Sequence, residues 1–262
     1  MNRLDGKVAL ISGAARGIGG ETARLMAEAG ARVVIGDVLD DVGRQTAAAI
    51  KAEYTHLDVT NTDDWTAAVN LATGKFGKLD ILVNNAGVFI GKGIEEISLD
   101  EWNKLVAVNM TGVFLGTRMA VPALREAAKT SEHGSAIVNL ASIAGIVGSQ
   151  LDPLYSMTKG GVTLFTKSAA LEFGRKGYRI RVNSIHPGVI QTDMGEQTFV
   201  ARTVRSGGND VSIARRTVTE TVPWGRLGVP NDIAKGIVFL ASDAAGYMNG
   251  AGLVVDGGVT AA

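Results

Sequence analysis

The sequence VALISGAARGIG, residues 8–19, decides the fold of this chain. Residues 8–12 form an apolar run of strand length, and the glycines that follow open a stretch with helical spacing up to residue 30. A buried strand that turns sharply into a helix through glycines is typical of the first unit of an open, parallel α/β sheet.

The remainder of the chain repeats this alternation of short apolar strands and longer stretches with helical spacing. Such alternation is typical of a parallel sheet that helices cover on both faces. We therefore predict an α/β fold, a doubly wound parallel sheet of about seven strands with helices on both faces. The predicted strands are residues 8–12, 32–37, 54–58, 81–84, 136–141, 181–185 and 253–255, and the predicted helices are residues 18–30, 41–51, 63–76, 99–128, 153–175 and 231–241.

Composition and charge narrow the class of protein. The 262 residues, 46% hydrophobic and 20% charged, predict one globular domain over residues 1–262. The 26 basic residues balance the 26 acidic residues, which argues against a nucleic acid or a membrane surface as partner. No uninterrupted apolar run approaches the roughly 18 residues of a membrane span. We therefore expect a small molecule as the partner.

Cysteine and histidine usage bears on compartment and metal binding. The chain has no cysteine, which excludes disulfides and thiolate chemistry. The first seven residues lack the basic and apolar segments of a secretion signal, so we expect a cytoplasmic protein. His56, His133 and His186 lie far apart and form no ligand-spaced pair. We expect no metal site, although these spacings leave a carboxylate-only Mg²⁺ site open.

The glycines of residues 13–19 suit a phosphate-binding loop. Gly13, Gly17 and Gly19 would allow a sharp turn, close approach of the backbone to a pyrophosphate, and tight packing of helix on strand. The N-terminus of the following helix offers unpaired N–H groups and a partial positive charge to an anion. Because the chain has 34 glycines, the strand before the loop and the helix after it carry this inference.

Asp37 ends the next predicted strand, where a carboxylate can accept hydrogen bonds from both ribose hydroxyls of an adenosine. The alternative is a turn residue or a helix N-cap, roles that aspartate also favours. A carboxylate here would repel the 2′-phosphate of NADP, so the sequence predicts NAD. Arg16 would favour NADP if its guanidinium received that phosphate. We weigh the direct repulsion by Asp37 more heavily.

Four polar side chains suggest acid–base chemistry. Tyr155 and Lys159 lie one helical turn apart, and an ammonium near a phenol lowers the pKa of the phenol and makes it usable as a base. Ser142 follows a predicted strand, at the sheet edge where open α/β sheets bind ligands. Asn109 interrupts an apolar helical stretch, and the alternative for it is a buried amide satisfied by the protein.

These features stand in the order and spacing of the short-chain dehydrogenase/reductase family, which the chain resembles over nearly its whole length. Ser12 stands where the family usually has threonine, and it retains the hydroxyl group. The resemblance implies a Rossmann fold and an oxidoreductase that acts on CH–OH groups. The shared segments are residues 12–19 (SGAARGIG), 58–59 (DV) and 84–87 (NNAG), Asn109, Ser142, and residues 155–159 (YSMTK), 187–188 (PG) and 255–258 (VDGG).

The resemblance also implies roles for individual residues. Tyr155 would be the general acid/base, Ser142 would orient the substrate oxygen, and Lys159 would bind the nicotinamide ribose and lower the pKa of Tyr155. Asn109 would hold a water that continues the proton relay. The implied catalytic residues are Asn109, Ser142, Tyr155 and Lys159, and the implied cofactor-binding residues are Gly13, Arg16, Gly17, Ile18, Gly19, Asp37, Asp58, Val59, Asn85, Gly87, Tyr155, Lys159, Pro187, Gly188, Val189 and Thr192.

Residues 191–224, here called the lid, are the one long polar departure from the alternation and resemble the family's variable substrate loop at about residues 190–225. An inert surface segment is the alternative. Arg202, Arg205, Arg215 and Arg216 would either meet an anionic substrate or form a solvated helix face, which we favour. The candidate substrate residues, mostly apolar and suited to a hydrophobic or cyclic alcohol, are Ser142, Val147, Gln150, Leu151, Tyr155, Met194, Phe199 and Trp224.

The leading hypothesis is an NAD-dependent dehydrogenase that interconverts a secondary alcohol and a ketone. A 3-oxoacyl-carrier-protein reductase is the alternative, and its expected preference for NADPH conflicts with Asp37. A dinucleotide-binding sensor without catalysis would not need the four polar side chains together. The family usually forms tetramers through helices near residues 100–128 and 153–176, so the resemblance implies a homotetramer.

Overall fold

The computed structural model describes residues 3–149 and 151–261. Its strands are β1 (Val8–Ser12), β2 (Arg32–Asp37), β3 (Glu53–His56), β4 (Ile81–Asn84), β5 (Ser135–Leu140), β6 (Ile180–Pro187) and β7 (Gly252–Val255). They form one parallel sheet in the order β3-β2-β1-β4-β5-β6-β7. The order reverses between β1 and β4, which opens a crevice at the carboxyl ends of these strands. The predicted doubly wound parallel sheet is confirmed.

Helices cover both faces of the sheet, as predicted. Neighbouring residues of β1 point to opposite faces, so Ile11 packs in one core with Met26, and Leu10 packs in the other with Trp65. The described helices are α1 (Gly17–Glu28), α2 (Asp40–Ile50), α3 (Thr62–Phe76), α4 (Leu99–Val106), α5 (Gly112–Ala128), α6 (Pro153–Arg175), α7 (Asp193–Arg205), α8 (Val211–Glu220) and α9 (Pro230–Ala241).

The central strand β1 is buried along its whole length. Truncating a fully buried leucine such as Leu10 to alanine typically costs about 2–5 kcal/mol, because a cavity adds to the lost transfer free energy. The glycine loop therefore begins at one of the most firmly held points of the sheet.

Two segments differ from the predictions. The third strand ends at His56 rather than at residue 58, because the Asp58 side chain accepts a hydrogen bond from Thr60 N at 2.9 Å and starts a turn. The lid contains the two helices α7 and α8, which the sequence analysis did not predict. Side-chain caps on Thr192 and Asp210 begin these helices.

The predicted helix over residues 99–128 contains a π-helical turn at Ala107–Thr111, between α4 and α5. The helix Leu99–Ala128 is long and apolar enough to cross a membrane, but core helices of globular proteins meet the same two criteria. Leu115, Ala120 and Leu124 are buried against the sheet. This is the packing of a core helix.

Candidate active site

The glycine loop leaves β1 through a bend that requires glycine. Gly13 has a φ of +65°, and a Cβ there would lie 2.7 Å from the Cα of Ala86. A Cβ at Gly19 would lie 2.2 Å from the carbonyl oxygen of Gly13. Gly17 differs, since a Cβ there would meet only the Thr192 methyl group at 3.6 Å. Two glycines thus let the loop pack on the sheet, and the third is less tightly surrounded, at the place where the pyrophosphate was predicted to bind.

Asp37 lies beside this loop at the end of β2 and is 9% exposed. One carboxylate oxygen accepts a hydrogen bond from Ala15 N at 2.9 Å, and the other accepts one from Leu39 N at 3.0 Å. Arg16 gives no hydrogen bond to the start of α1 and pairs instead with Asp193 of the lid. Asp37 therefore acts as a turn residue, which was the alternative to ribose binding, and it lies next to the predicted phosphate loop.

Asn85, directly after β4, is hydrogen-bonded to the start of the glycine loop. Its side-chain nitrogen donates to the carbonyl oxygens of Ser12 at 2.9 Å and Gly13 at 2.7 Å. The Ser12 hydroxyl accepts from Asn85 N at 3.1 Å and from Ala86 N at 3.3 Å. These contacts cross the point where the strand order reverses, and they explain why a hydroxyl at position 12 suffices.

Asp58 and Val59 shape the turn after β3. The Asp58 carboxylate accepts from both the backbone N–H and the hydroxyl of Thr60, at 2.9 and 2.8 Å. The carbonyl oxygen of Val59 accepts a hydrogen bond from Trp65 Nε1 at 2.9 Å. Val59 is 5% exposed. Both residues lie at the carboxyl edge of the sheet, where the adenine contact was predicted.

Tyr155 lies in the first turn of α6 and faces Ser142, two residues after the end of β5. Asp152 caps this helix by accepting a hydrogen bond from Tyr155 N at 2.8 Å, and Pro153 begins it. The Tyr155 side chain faces Ser142, whose hydroxyl lowers the pKa of the phenol. The Tyr155 ring packs edge-on against Phe89, with the ring centroids 5.4 Å apart. The fold thus brings together the two side chains that were predicted to act on one oxygen.

Burial dominates the electrostatics of Tyr155 and Lys159. Burial raises the pKa of Tyr155 above its ordinary value, the hydrogen bond from Ser142 lowers it, and the Asp152 carboxylate raises it. Burial lowers the pKa of Lys159 to about 8. Lys159 Nζ lies 5.6 Å from the centre of the Tyr155 ring and donates to the carbonyl oxygen of Leu140 at 2.7 Å. The predicted lowering of the Tyr155 pKa by Lys159 stays a prediction.

Asn109 lies in the π-helical turn and is completely buried. Its Oδ1 accepts from Val88 N at 2.8 Å, and its Nδ2 donates to Val88 O at 2.9 Å and to Thr158 Oγ1 at 3.3 Å. A Cβ at Gly87 would lie 3.3 Å from Asn109 Oδ1 and 3.6 Å from Lys159 Nζ. The Asn109 amide is thus satisfied by protein groups, as the alternative for it proposed, and it lies close to Lys159. That Asn109 holds a water of the proton relay stays a prediction.

The segment after β6 links the sheet to the lid. Gly188 N donates to the carbonyl oxygen of Val255 at 3.1 Å, and the carbonyl oxygen of Val189 accepts from Gly228 N at 3.2 Å. Thr192 caps α7 by accepting from Gly195 N at 3.1 Å. The segment that begins at Pro187 therefore runs from the end of β6 to a point above the glycine loop.

Among the candidate substrate residues, Phe199 occupies an unexpected place. It is completely buried in a small core with Val218 and Val222 of the lid and with Leu227 just after the lid; this cluster is here called the lid core. The reason is its position on the inner face of α7, toward α8. Phe199 therefore offers no surface to a substrate, and its prediction as a substrate residue is wrong; it packs the lid core instead.

The remaining candidate substrate residues lie on different surfaces. Leu151 lines a cavity of about 430 Å³ together with residues of α7 and α8. Trp224 is 74% exposed and lines a second cavity of about 300 Å³ beside Gly188. Val147 is 45% exposed, Met194 is partly buried, and Gln150 lies outside the described residues.

The four arginines of the lid do not form one cluster. Arg215 pairs with Glu196 and lies over the Phe199 ring. Arg205 donates to the carbonyl oxygen of Leu151 at 3.1 Å. Arg202 and Arg216 are exposed. These positions favour the solvated interpretation over a common anion site.

Two buried polar residues of the site were missing from the predicted set. The second carboxylate oxygen of Asp152 accepts from Gly91 N at 2.8 Å, which ties the segment after β4 to the start of α6. His186 Nδ1 lies 3.0 Å from the carbonyl oxygen of Ser142. Aspartate before proline at a helix start is an N-cap signal, so the Asp152 cap could have been predicted. No local pattern predicts the role of His186, because its partner Ser142 lies 44 residues away in sequence and meets it only through the pairing of β5 with β6.

Comparison with known proteins agrees with this geometry. A family model described as enoyl-(acyl carrier protein) reductase matches residues 13–260. The chain is 42% identical over 271 residues to trans-4-hydroxycyclohexanecarboxylate dehydrogenase of Sinomonas cyclohexanicum, covering 99% of this chain and 95% of that protein. It is 43% identical over 261 residues to 3-alpha-(or 20-beta)-hydroxysteroid dehydrogenase of Mycobacterium bovis, covering 99% of this chain and 91% of that protein.

A solved structure shares the whole architecture. A short-chain type dehydrogenase/reductase from Mycobacterium marinum superposes with a TM-score of 0.88 at 32% identity, covering 100% of this chain and 98% of that chain. Sequence matches, fold and site geometry lead to the same assignment. This chain belongs to the short-chain dehydrogenase/reductase family and is an oxidoreductase that acts on CH–OH groups.

Proposed function

We propose that this protein is an NAD-dependent dehydrogenase that interconverts a secondary alcohol, on a hydrophobic or cyclic substrate, with its ketone. The observation that carries the proposal is the meeting of three side chains: Ser142 faces Tyr155, and buried Lys159 lies 5.6 Å from the centre of the Tyr155 ring. The relatives named for a hydroxycyclohexanecarboxylate and a hydroxysteroid support a hydroxyl group on a ring.

Ser142 and Tyr155 would bind the substrate oxygen from two sides. The Ser142 hydroxyl accepts a hydrogen bond from Ala144 N at 3.1 Å, so its own proton remains available to donate. Tyr155 as phenolate would take the proton of the alcohol during oxidation, and as phenol would return it to the ketone during reduction. A nicotinamide bound beside them supplies the hydride acceptor or donor.

Lys159 and Asn109 would carry the proton away from Tyr155. A pKa of about 8 lets the Lys159 ammonium exchange a proton close to neutral pH. Asn109 is held rigidly by Val88 and lies beside Gly87, next to Lys159. In this position Asn109 would hold a water that connects Lys159 to solvent.

The cofactor would lie along the carboxyl edge of the sheet. The loop with Gly13, Arg16, Gly17, Ile18 and Gly19 would hold the pyrophosphate, because α1 begins there and its N-terminus favours an anion. The adenosine would contact Asp37, Asp58, Val59, Asn85 and Gly87, and the nicotinamide would lie under Pro187, Gly188, Val189 and Thr192.

The choice of NAD rests on Asp37. Each of its carboxylate oxygens accepts one backbone hydrogen bond and keeps a lone pair for a ribose hydroxyl. A 2′-phosphate would bring about two negative charges against this carboxylate. Arg16, the cation that could have bound this phosphate, is paired with Asp193 instead. Both observations support NAD over NADP.

Reduction of an acyl thioester is the second candidate. The description of the matching family model favours it, and exposed Arg202 and Arg216 would suit an anionic carrier. Turnover of a 3-oxoacyl or enoyl thioester with NADPH, faster than turnover of any cyclic alcohol with NAD⁺, would favour this alternative. A non-catalytic sensor would bind the dinucleotide and turn over neither class of substrate.

The test is a steady-state assay of NADH absorbance with cyclohexanol and with a hydroxysteroid. Tyr155→Phe should lower kcat about a hundredfold or more and change the Kd for NAD⁺ less than about twofold, because it removes only the acid/base proton. Tyr247→Phe, at a fully exposed tyrosine, is the matched control and should have no effect. Retained turnover in Tyr155→Phe would contradict the mechanism, and equal use of NADP⁺ would contradict the cofactor assignment.

Domain organisation, assembly and location complete the proposal. One domain over residues 1–262, with the lid at about residues 190–225, would form a homotetramer in the cytoplasm. Phe114 on α5 and Leu164 and Leu171 on α6 are exposed apolar side chains, which supports burial of these helices against other subunits.

A further inference from the structure

His186 is a buried residue of β6 that the proposed mechanism does not use. Its exposed fraction is 1%, and it lies directly before Pro187. The imidazole makes two hydrogen bonds, one from Nδ1 to the carbonyl oxygen of Ser142 at 3.0 Å and one from Nε2 to the Ser184 hydroxyl at 2.9 Å. One side chain of β6 thus reaches the residue of the site that follows β5.

These partners assign the proton positions on the imidazole. The carbonyl oxygen of Ser142 can only accept a hydrogen bond, so Nδ1 carries a proton. In the neutral ring Nε2 then accepts from the Ser184 hydroxyl, which lies 2.9 Å from Nε2 and 3.5 Å from the carbonyl oxygen of Ala251. Burial lowers the pKa of His186 below its ordinary value, although the bond to Ser142 opposes this. The imidazole is therefore neutral near pH 7, with both nitrogens satisfied.

The contact replaces a backbone bond that the sheet cannot form. Ala141 N donates to the carbonyl oxygen of Ile185 at 2.9 Å, near the end of the β5–β6 ladder. Pro187 has no N–H group and cannot extend this ladder. The His186 side chain supplies a donor one residue further along, at Ser142. Among the described residues, this side chain provides the hydrogen bond between β6 and the backbone of Ser142, and no backbone group of β6 does so.

The neighbouring strand has space for this imidazole. A Cβ at Gly252 of β7 would lie 2.7 Å from His186 Nε2. Only glycine leaves the ring enough room, since real Cβ contacts are not this close. The position of the ring is therefore determined by packing as well as by its two hydrogen bonds.

The backbone at Ser142 is held by groups from α6 and β6, and its carbonyl oxygen also accepts from Gly145 N at 3.0 Å. Lys159 donates to the carbonyl oxygen of Leu140 from α6, and His186 donates to that of Ser142 from β6. The Ser142 side chain then accepts from Ala144 N and meets the Tyr155 hydroxyl. A rotation of the peptide group after Ser142 would shift this hydroxyl relative to Tyr155.

We propose that His186 is a positioning residue, whose neutral Nδ1–H holds the Ser142 backbone so that the Ser142 hydroxyl remains aligned with Tyr155. The proposal rests on the proposed dehydrogenase function for its kinetic consequences. It assigns a role in the reaction to a residue whose imidazole is hydrogen-bonded to Ser142 and Ser184.

The kinetic test compares His186→Leu with His186→Asn. Asparagine Nδ2 can occupy the place of His Nδ1 and donate, whereas leucine has a similar size and no donor. His186→Leu should lower kcat for cyclohexanol about tenfold and change the Kd for NAD⁺ less than about twofold, and His186→Asn should keep kcat within about threefold of the unmodified protein. An equal loss of kcat in both variants would overturn the proposal.

A second measurement shows whether His186 acts through Ser142. In a Ser142→Ala background, His186→Leu should lower the residual kcat less than about twofold, because the hydroxyl that it positions is gone. The same tenfold loss in both backgrounds would mean that His186 supports the site by another route, and would overturn the proposal.

A third measurement needs no turnover. The ¹⁵N NMR spectrum of histidine-labelled protein near pH 7 should show His186 as the neutral Nδ1–H tautomer. A charged ring or the Nε2–H tautomer would overturn the proposal even if the variants fail to fold. Absence of alcohol turnover in the unmodified protein would instead reject the proposed dehydrogenase function, while the NMR result would still decide the contact.

Discussion

The glycine loop and the lid meet where Arg16 pairs with Asp193, but different contacts hold each of them in place. The loop is held by buried backbone contacts, with Gly13 against Ala86 and with the Asn85 side chain bonded to two loop carbonyls. The lid is held by a small core around Phe199 and by exposed ion pairs such as that of Arg16 with Asp193.

This difference separates two requirements of one enzyme. The parts that would bind the dinucleotide and move the proton lie on the rigid edge of the sheet, where a small displacement would be costly for catalysis. The lid has fewer constraints from the rest of the molecule, because its core is largely its own. Substitutions in the lid can therefore change the substrate while the cofactor site stays intact.

The largest expected effect distinguishes two glycines with nearly the same backbone conformation. Gly13 in the loop has φ +65°, and a Cβ there would lie 2.7 Å from the Cα of Ala86, whereas Gly207 at the end of α7 has φ +68° with open space around it. Gly13→Ala should cost about 3 kcal/mol of unfolding free energy, and Gly207→Ala only about 1 kcal/mol, because only the first adds a clash to the strained φ.

Urea denaturation measures both free energies of unfolding, and titration of protein fluorescence measures NAD⁺ binding. We expect Gly13→Ala to lose NAD⁺ binding and Gly207→Ala to retain it. Equal stability losses in the two variants would show that the loop is no more constrained than the lid.

The lid core is the second test of this comparison. Phe199→Ala should destabilise the lid by about 3 kcal/mol, because it removes the largest side chain from a small core. The sheet edge should keep its NAD⁺ affinity within about twofold, while the KM for the alcohol rises. Hydrogen exchange should show faster opening of α7 and α8, with little change in β1.

The neighbouring exposed residue provides a control for this variant. Val200→Ala truncates a side chain that is 48% exposed on the same helix and should leave both readouts unchanged. Loss of NAD⁺ affinity in Phe199→Ala would show that the lid and the cofactor edge form one unit.

A smaller effect is expected at the junction of the two regions. The Asp152 carboxylate raises the pKa of Tyr155, and Asp152→Asn removes this charge but keeps an oxygen to cap α6. The pKa of Tyr155 should fall. Since Tyr155 would act as a phenolate in the proposed oxidation, the rise of kcat/KM with pH should move to lower pH. Asp193→Asn, at an exposed carboxylate of the lid, should not move the profile, and a shift to higher pH in Asp152→Asn would contradict the assignment.

The smallest effect is expected at the ion pair between the two regions. Arg16 and Asp193 have side chains that are 62% and 65% exposed. Breaking this pair with Asp193→Asn should change the free energy of unfolding by less than about 0.5 kcal/mol, because exposed pairs are screened and cost side-chain entropy. A loss above about 1 kcal/mol in thermal or urea unfolding would show that the pair holds the lid closed.

Much of the fold and the cofactor edge could be predicted because both depend on local patterns. The apolar run 8–12 and the glycines after it define a strand, a turn and a helix without reference to any other segment. Tyr155 and Lys159 share a helix face by spacing alone, and the structure places both beside the end of β5.

The lid was the least predictable part. Its residues are polar and interrupted by glycine, so the helical periodicity of α7 and α8 is weak, and side-chain caps at Thr192 and Asp210 define the helices. Phe199 was expected to face a substrate because it is large and apolar. Whether such a side chain lines a pocket or fills a core depends on the rotation of α7, which no local pattern specifies.

By itself the sequence determined the order of the strands and of the helices outside the lid, the glycine turn and the residues that could exchange a proton with an alcohol, because these follow from periodicity, backbone conformation and functional groups. The tertiary structure alone decided that His186 meets Ser142, that Asp152 joins α6 to Gly91 and that Asp37 bonds to the glycine loop. Each of these contacts joins segments far apart in sequence. They form only when strand register and helix packing bring one donor within about 3 Å of one acceptor.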